Sequence, residues 1–257
     1  HVRSRRQRQM CIRDRVYAIA LIVGMGACAA SAKKQAEAKP DVWKSYNVGT
    51  VLFEDKASET KGSDIYHRII PDAESYIKEQ ARTVLATLYN SPEDSITPVN
   101  KIHYTLEDIE GISAKGGGNG DVTIFYSTRH IEKSFAENDT AKLFFETRGV
   151  LLHELTHAYQ LEPQGIGSYG TNRVFWAFIE GMADAVRVAN GGFDGPNARP
   201  KGGNYMDGYR TAGYFFVWLR DNKDPEFLRK FNRSTLEVIP WSFDGAIKHI
   251  LGCLLYT

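Results

Sequence analysis

Cysteine is scarce in this chain of 257 residues, which contains only three, Cys11, Cys28 and Cys253. Residues 1–15 and 253–257 resemble translated sequencing adapters, so we expect Cys11 and Cys253 not to belong to the natural protein. A basic n-region of an export signal is the alternative for residues 1–15. Because no cysteine pair is then left, the sequence predicts a domain that folds without disulfides.

A hydrophobic run long enough to cross a bilayer is also missing. Residues 16–28 are apolar and uncharged, but this stretch is too short to span a membrane and is typical of the core of an export signal. It ends in MGAC, which resembles a bacterial lipobox with Cys28 as the lipidated residue. Ordinary secretory cleavage between Ala27 and Ala30 is the alternative. Both interpretations predict an extracytoplasmic protein, either a cell-envelope lipoprotein or a secreted one.

The chain has no large excess of charge of either sign, since its formal net charge is +1. Residues 1–15 contain six arginines and one acid, so the remainder is mildly acidic. This charge balance argues against a nucleic-acid partner. We expect a monomer that contacts a membrane only through an N-terminal lipid anchor. Residues 29–42 are small, polar and charged, which predicts a flexible tether, and residues 43–252 are expected to form one folded domain.

Periodic patterns in residues 43–252 predict an α+β fold. Alternating apolar residues predict strands, and apolar residues at helical spacing predict helices, one of which carries the motif below after a cap at Asp139 or Thr140. The glycine-rich residues 116–120 predict a flexible turn. The predicted strands cover 48–53, 99–106 and 122–126. The other predicted helices cover 71–89, 173–190, 207–222, 225–231 and 241–251.

Two histidines four residues apart, His153 and His157, lie in the run GVLLHELTHAYQ. On a helix both imidazoles stand on one face, one turn apart, where they can reach a single metal ion. Glu154, between them, faces the same cleft. This arrangement is typical of zinc hydrolases and predicts Zn²⁺ as the cofactor. In such a mechanism zinc activates a water molecule, Glu154 takes its proton as general base, and the hydroxide attacks a peptide carbonyl.

A catalytic zinc site needs a third protein ligand and a fourth position that stays open for water. The helix predicted at 173–190 carries Glu180 and Asp184 four residues apart, so both carboxylates lie on one face. We assign Glu180 as the third ligand and Asp184 as the hydrogen-bond partner of a ligating histidine. The spacing alone leaves open which of the two carboxylates binds the metal.

These motifs carry a resemblance to a known family. The HExxH motif followed by a helix with E-x-x-A-D resembles the gluzincin pattern. The runs LLHELTHAYQ, IEGMADAVRV and YMDGYRTAGYFFVWL resemble the plant basic secretory protein family and its bacterial relatives, over about residues 46–252. The resemblance implies a zincin-like α+β fold, with a small twisted mixed sheet, an active-site helix and a mostly helical C-terminal half. Because family members continue past residue 252, we expect a truncated C-terminus. The implied roles are zinc ligation by His153, His157 and Glu180, general base for Glu154, and support of His153 by Asp184.

Two further groups are candidates for the cleft. Tyr209, in preference to Tyr214, is a candidate donor to the oxyanion. The strand at 122–126 either forms the lip of the cleft and pairs with the substrate backbone, or lies in the interior of the sheet. Four other histidines lack a partner at metal-ligand spacing, so we expect them to lie at the surface or to be hydrogen-bonded. These histidines are His67, His103, His130 and His249.

Two functions remain open from the sequence. The first is a secreted or lipid-anchored zinc metalloendopeptidase that acts on a peptide or protein substrate and uses Glu154 as general base. The alternative is a catalytically silent surface lipoprotein that keeps the zincin fold and binds glycan or protein. The presence of Glu154, which a silent protein could lose, favours the peptidase.

Overall fold

The computed structural model describes residues 41–134, 139–195 and 197–253. Most of them belong to one compact unit, Val42–Leu254. Of a second unit, His1–Asp41 with Leu255–Thr257, only Asp41 is described. The predictions of an export signal, of lipidation at Cys28 and of most of the tether therefore lie outside the described residues.

Cys253 is disulfide-bonded. The prediction that the cysteines take no part in a disulfide is therefore wrong. That prediction excluded Cys253 because residues 253–257 resemble an adapter sequence. The number of cysteines in a sequence cannot by itself exclude a disulfide. Cys11 and Cys28 lie outside the described residues.

A four-stranded mixed sheet occupies the first half of the described chain, in the order β1-β2-β4-β3. The pairs β1–β2 and β2–β4 are parallel, and β3 runs antiparallel to β4 at one edge. Apolar side chains on alternate positions of β2 and β4 are buried, as the alternating pattern predicts. The strands are β1 (Thr50–Asp55), β2 (Lys101–Glu107), β3 (Ser113–Gly118) and β4 (Asp121–Ser127).

The glycine-rich residues 116–120 are only partly a turn. Strand β3 runs through Gly118, so the predicted turn is confined to the last two of these residues. A Cβ atom added at Gly117, where φ is +83°, would lie 2.0 Å from the carbonyl oxygen of Asp121. Glycine therefore allows β3 to approach its partner strand closely, which the sequence pattern does not reveal.

Eight α-helices occur among the described residues, and six of them were predicted, five within a few residues of their ends and α7 with a C-terminal end six residues too early. The predictions miss α1 and α3, whose sequences KGSDIYHRI and TRHIEKS contain too few apolar residues to display a clear helical period. None of the helices in the described part of the chain has the length and apolar character needed to cross a bilayer. The helices are α1 (Lys61–Ile69), α2 (Ala73–Leu88), α3 (Thr128–Ser134), α4 (Thr140–Tyr159), α5 (Arg173–Ala189), α6 (Tyr209–Asn222), α7 (Phe227–Glu237) and α8 (Phe243–Leu251).

Helix α4 connects the sheet to the helical half of the protein. It packs against β3 and α2 as well as against α5, and α5 in turn packs along α6. Two glycines permit the close approach of α5 and α6, because a Cβ at Gly181 would lie 2.6 Å from the Ala212 side chain, and one at Gly213 would lie 2.9 Å from the backbone of Ala185. The α+β class with a mostly helical C-terminal half is confirmed.

Candidate metal centre and catalytic cleft

Helix α4 brings the two motif histidines to a cleft. Asp139 caps the helix by accepting a hydrogen bond from the backbone N–H of Lys142 at 2.9 Å, so the first of the two predicted caps is the one used. The leucines around the motif are buried and hold the helix against the core. His153 and His157, one turn apart, are only partly buried and line the cleft.

Helix α5 supplies the two carboxylates from the opposite side. Its cap is Asn172, which accepts hydrogen bonds from the N–H groups of Val174 at 2.8 Å and Phe175 at 3.2 Å. Glu180 and Asp184 are buried, with 4% and 3% of their surface exposed. Buried carboxylates need partners, and Asp184 lies within hydrogen-bond distance of His153, whereas Glu180 lies within ion-pair distance of both histidines.

Three side chains converge on one point between α4 and α5. The Nε2 atoms of His153 and His157 lie 3.1 Å apart. Glu180 Oε2 lies 3.3 Å from His153 Nε2 and 3.7 Å from His157 Nε2. Among the described residues, this triad is the group of histidine, cysteine and acidic side chains whose ligand atoms are close enough to hold a metal ion together.

The buried Glu180 Oε2 atom tests whether a metal fits this triad. It has no hydrogen-bond partner, although both imidazoles are near. Leaving a buried carboxylate oxygen unsatisfied costs free energy, and a cation between the three atoms would satisfy it. The residues present therefore fit a metal ion, and Glu180, not Asp184, is the carboxylate that faces both Nε2 atoms.

The second nitrogen of each imidazole has its own partner. His153 Nδ1 lies 2.7 Å from Asp184 Oδ1, as the sequence predicts. His157 Nδ1 lies 2.9 Å from the side-chain amide of Gln160, whose Oε1 is buried without a partner. Rotating this amide by 180° would turn Oε1 toward Nδ1–H. Both Nδ1 atoms would then carry a proton and both Nε2 atoms would be free to bind a metal.

The two histidines respond oppositely to this environment. Burial lowers the pKa of His153, but the hydrogen bond and charge of Asp184, together with the nearby carboxylates of Glu180 and Glu154, outweigh it and raise that pKa to about 10. Burial lowers the pKa of His157 to about 3, and the positive charge of His153 adds to this effect. The carboxylates thus attract one positive charge to the space between the imidazoles, and a divalent cation would take the place of the proton.

Glu154 lies beside the triad, buried at 6% exposure, and lines the cleft. Burial raises its pKa, against the lowering effects of the charged His153 and of the hydrogen-bonding groups of Ser113 and Lys115 on strand β3. A carboxylate with a raised pKa binds a proton more readily than a surface carboxylate does. It is therefore suited to accept a proton and return it.

Tyr209 also lines the cleft. Its ring stacks on the His153 ring, with centroids 6.1 Å apart and planes at 15°. Burial raises the pKa of Tyr209, and the charge of Glu180 adds to this, so the phenol keeps its proton and can donate it in a hydrogen bond. Tyr214 is not among the lining residues, because its hydroxyl donates to the carbonyl of Phe193.

Tyr169 is a cleft residue that the sequence analysis misses. It lies in the loop between α4 and α5, and its hydroxyl donates a hydrogen bond of 2.6 Å to Glu180 Oε1. This contact orients the carboxylate, so that Oε2 faces the histidines. Loop residues have no periodic pattern from which such a contact could be predicted, and only the folded loop brings this tyrosine to the site.

The cleft has a volume of about 880 Å³ and is bordered by the edge strand β3 through Ser113, Ala114 and Lys115. The strand predicted at 122–126 does not form this lip. It is β4, which lies between β2 and β3, so its interior interpretation is right and its interpretation as the cleft strand is wrong. The prediction fails because β3, rich in glycine, is not recognisable as a strand.

The four other histidines among the described residues are hydrogen-bonded to acidic side chains away from the triad, which confirms the interpretation given to them. The distances are 2.9 Å from His67 to Asp55, 2.9 Å from His103 to Glu54, 3.4 Å from His130 to Glu146, and 3.0 Å from His249 to Glu237.

Fold and site together define an α+β protein with a cleft that contains a candidate metal centre. The family model described as "Peptidase of plants and bacteria" matches residues 48–255. Because this match covers most of the sequence, the chain belongs to that peptidase family, the basic secretory protein family, and the resemblance is confirmed. Comparisons with curated proteins and with solved structures give no match.

Proposed function

We propose that this peptidase is a zinc-dependent endopeptidase that works outside the cytoplasm. The observation that carries the proposal is the convergence of His153, His157 and Glu180 beside the buried Glu154. Metal ligands and a carboxylate suited to proton transfer, in one cleft, are what metal-assisted hydrolysis requires. Membership in a peptidase family supports a peptide bond as the bond that is cleaved.

The donor set favours zinc as the metal. Two imidazoles and one carboxylate are ligands that zinc accepts, and bonds of about 2.1 Å in a tetrahedral site separate ligand atoms by about 3.4 Å. The observed separations of 3.1, 3.3 and 3.7 Å are close to that value. Three protein ligands leave one position open, which is typical of catalytic sites and not of structural ones.

Glu154 is the proposed general base. When bound, zinc would polarise the peptide carbonyl and lower the pKa of a water molecule. Glu154 would accept the proton of the attacking water, which its raised pKa favours, and pass it to the more basic leaving amine. The hydroxyl of Tyr209 is the proposed donor to the oxyanion, and Tyr169 would hold Glu180 in place.

Strand β3 is the proposed surface for the substrate backbone. It pairs with β4 along one edge only, and Ser113 to Lys115 line the cleft. An extended peptide could add to its other edge as a further strand, with the scissile bond near Glu154. Because backbone pairing of this kind requires no particular substrate side chain, it suits an endopeptidase, which cleaves within a polypeptide chain.

The proposed location is outside the cytoplasm, where the protein would act as a monomer on peptide or protein substrates and bind no nucleic acid. Membership in a family called basic secretory proteins supports secretion. Lipidation of Cys28 would add attachment to a membrane of the cell envelope. Metabolic labelling with a fatty acid, compared between the wild-type chain and Cys28→Ala, tests that attachment.

Replacing Glu154 with Gln tests the proposed function. We expect the zinc-loaded variant to lose about 10²–10⁴-fold in the rate of casein cleavage, because the amide cannot accept the proton. Bound zinc, measured by elemental analysis, should stay at the wild-type ratio. The matched control is Glu59→Gln, an exposed acid far from the cleft in sequence, which should cleave at the wild-type rate.

Two outcomes would contradict the proposal. Undiminished cleavage by the Glu154→Gln variant would show that another group takes the proton. Zinc binding without cleavage of any unstructured protein by the wild-type chain would instead favour the silent, binding lipoprotein.

A further inference from the structure

Two arginines meet at one aromatic ring in the cleft. The Arg187 guanidinium carbon lies 3.8 Å from the centre of the Phe193 ring, and that of Arg210 lies 5.4 Å from the same centre. All three residues line the cleft that contains the metal triad. We call this group the arginine subsite. The proposed hydrolysis uses none of these three side chains.

The positive charge of the arginine subsite is only partly balanced. Arg187 is 7% exposed and donates from Nη2 to Glu146 at 2.6 Å, while its buried Nε has no hydrogen-bond partner. Glu146 also contacts His130 at 3.4 Å, so it does not serve Arg187 alone. This Nε packs against Gly149 of α4, where an added Cβ would lie 2.4 Å from it, so Arg187 adds positive charge to the subsite but no free donor from this atom.

The positive charge of Arg210 is balanced even less. It is exposed to the cleft, and within the described ranges it forms neither a hydrogen bond nor an ion pair. Asp194, which follows Phe193 in the chain, is exposed and is not a lining residue of the cleft. The subsite therefore offers a guanidinium whose donors are free, next to one that is nearly buried.

The backbone holds the subsite beside the metal triad. Phe193 and Tyr209 adopt φ values of 55° and 40°, a region that non-glycine residues enter at a cost of about 1 kcal/mol. Tyr209 stacks on His153, and the next residue, Arg210, lines the same cleft. The Phe193 carbonyl accepts a hydrogen bond from Tyr214 on α6, which ties the loop to that helix.

We propose that the arginine subsite binds a carboxylate of the peptide substrate, with Arg210 as its main cation. This inference rests on the proposed peptidase function and names its substrate class, peptides with a carboxylate close to the cleaved bond. A guanidinium presents two parallel N–H groups to a carboxylate, and the Phe193 ring can pack on the methylene groups that carry it. The carboxylate can come from an acidic side chain or from the C-terminus of a short peptide.

Binding to a protein that cannot turn over tests this inference. The zinc-loaded Glu154→Gln variant would be titrated with fluorescent alanine-rich decapeptides in which one Glu occupies each position in turn. Each has a Gln counterpart, and each is made with a free or an amidated C-terminus. We expect a carboxylate at one or two positions to tighten binding about tenfold over its neutral counterpart. Preference for internal Glu identifies a side-chain carboxylate, and preference for the free acid identifies the C-terminus.

Substitution of Arg210 in the same background assigns the preference to the subsite. The preference is the dissociation constant of the neutral peptide divided by that of its acidic counterpart. Arg210→Gln should reduce this ratio to about one, and Arg210→Lys, which keeps the charge but not the planar pair of donors, should restore part of it. The matched control is Arg68→Gln, an exposed arginine of α1 that does not line the cleft, and it should keep the full ratio. Thermal unfolding checks that each variant is folded.

The outcomes separate this inference from the proposed function. Equal binding of acidic and neutral peptides, or a preference that survives Arg210→Gln, would overturn the subsite. Because these titrations need no cleavage, they stand even if the wild-type protein cleaves nothing. Conversely, cleavage without acidic preference would leave the peptidase function intact and remove the subsite.

Discussion

At the scale of single residues, the partners of the imidazole Nδ1 atoms decide how the candidate metal centre is built. His153 is held by a carboxylate, Asp184, and His157 by a neutral amide, Gln160. A partner at Nδ1 selects the tautomer whose Nε2 is free for the metal, and a charged partner also makes that nitrogen more basic. The two ligands should therefore depend on their partners to different degrees.

Zinc affinity should report this difference. We expect Asp184→Asn to weaken zinc binding about 10–100-fold, and Gln160→Ala to weaken it by about tenfold or less, because only the first change removes a charge from the site. Competition with a chelator of known affinity measures both. Gln164→Ala is the control, since the Gln164 side-chain amide donates its hydrogen bond to the Glu162 carbonyl and forms none with the triad or its supporting side chains in the described part of the chain. Unchanged affinity in the Asp184 variant would refute its supporting role.

At the scale of elements, the contact between α5 and α6 sets the position of the carboxylates. A Cβ at Gly213 would lie 2.9 Å from three atoms, the backbone nitrogen of Ala185 and the backbone carbon and Cβ of Asp184. Backbone atoms inside a packed helix cannot move aside cheaply. Gly213 therefore permits the approach that fixes Asp184 against His153.

Gly213→Ala should destabilise the protein. Alanine gains up to about 1 kcal/mol in helix propensity, but the clash with α5 should cost more, so we expect a net loss of about 1–2 kcal/mol in the free energy of unfolding. Urea denaturation with a chelator present separates this effect from metal binding. Gly195→Ala has open space around its Cβ and should change stability by less than about 0.5 kcal/mol. Equal stability of both variants would contradict the packing argument.

At the scale of the whole molecule, the metal triad joins parts of the chain that are distant in sequence. Its ligands come from α4, which contacts the sheet through β3, and from α5, which packs on α6. A ligand that binds only the folded arrangement stabilises it by mass action. Zinc should therefore act on the stability of the folded unit as well as on its chemistry.

Removing zinc should lower the melting temperature. With free zinc about a hundredfold above its dissociation constant, the stabilisation is about 2.7 kcal/mol. For a domain of this size that corresponds to a shift of about 5–10 °C. Calorimetric scans with zinc and with excess chelator measure it. In His157→Ala the shift should shrink to near zero, and a full shift in that variant would place the stabilising zinc elsewhere.

Local patterns were enough to predict six helices, three strands and the residues of the candidate metal centre. The spacing of His153 and His157 fixes their common face through the helical period alone, and the same period pairs Glu180 with Asp184. Tyr169 and the arginine subsite were not predicted, because neither a helical period nor a sequence motif relates them to the histidines. Gln160, three residues after His157, could have been found by the same helical spacing.

Sequence alone determined which residues could become ligands, base and caps, because these properties follow from residue chemistry and from the geometry of one helix. Only the tertiary structure decided that Glu180 faces both Nε2 atoms, that β3 and not β4 borders the cleft, and that two arginines share one ring. Each of these depends on contacts between elements far apart in the chain. Such contacts are set by packing and strand order, which local periodicity does not encode.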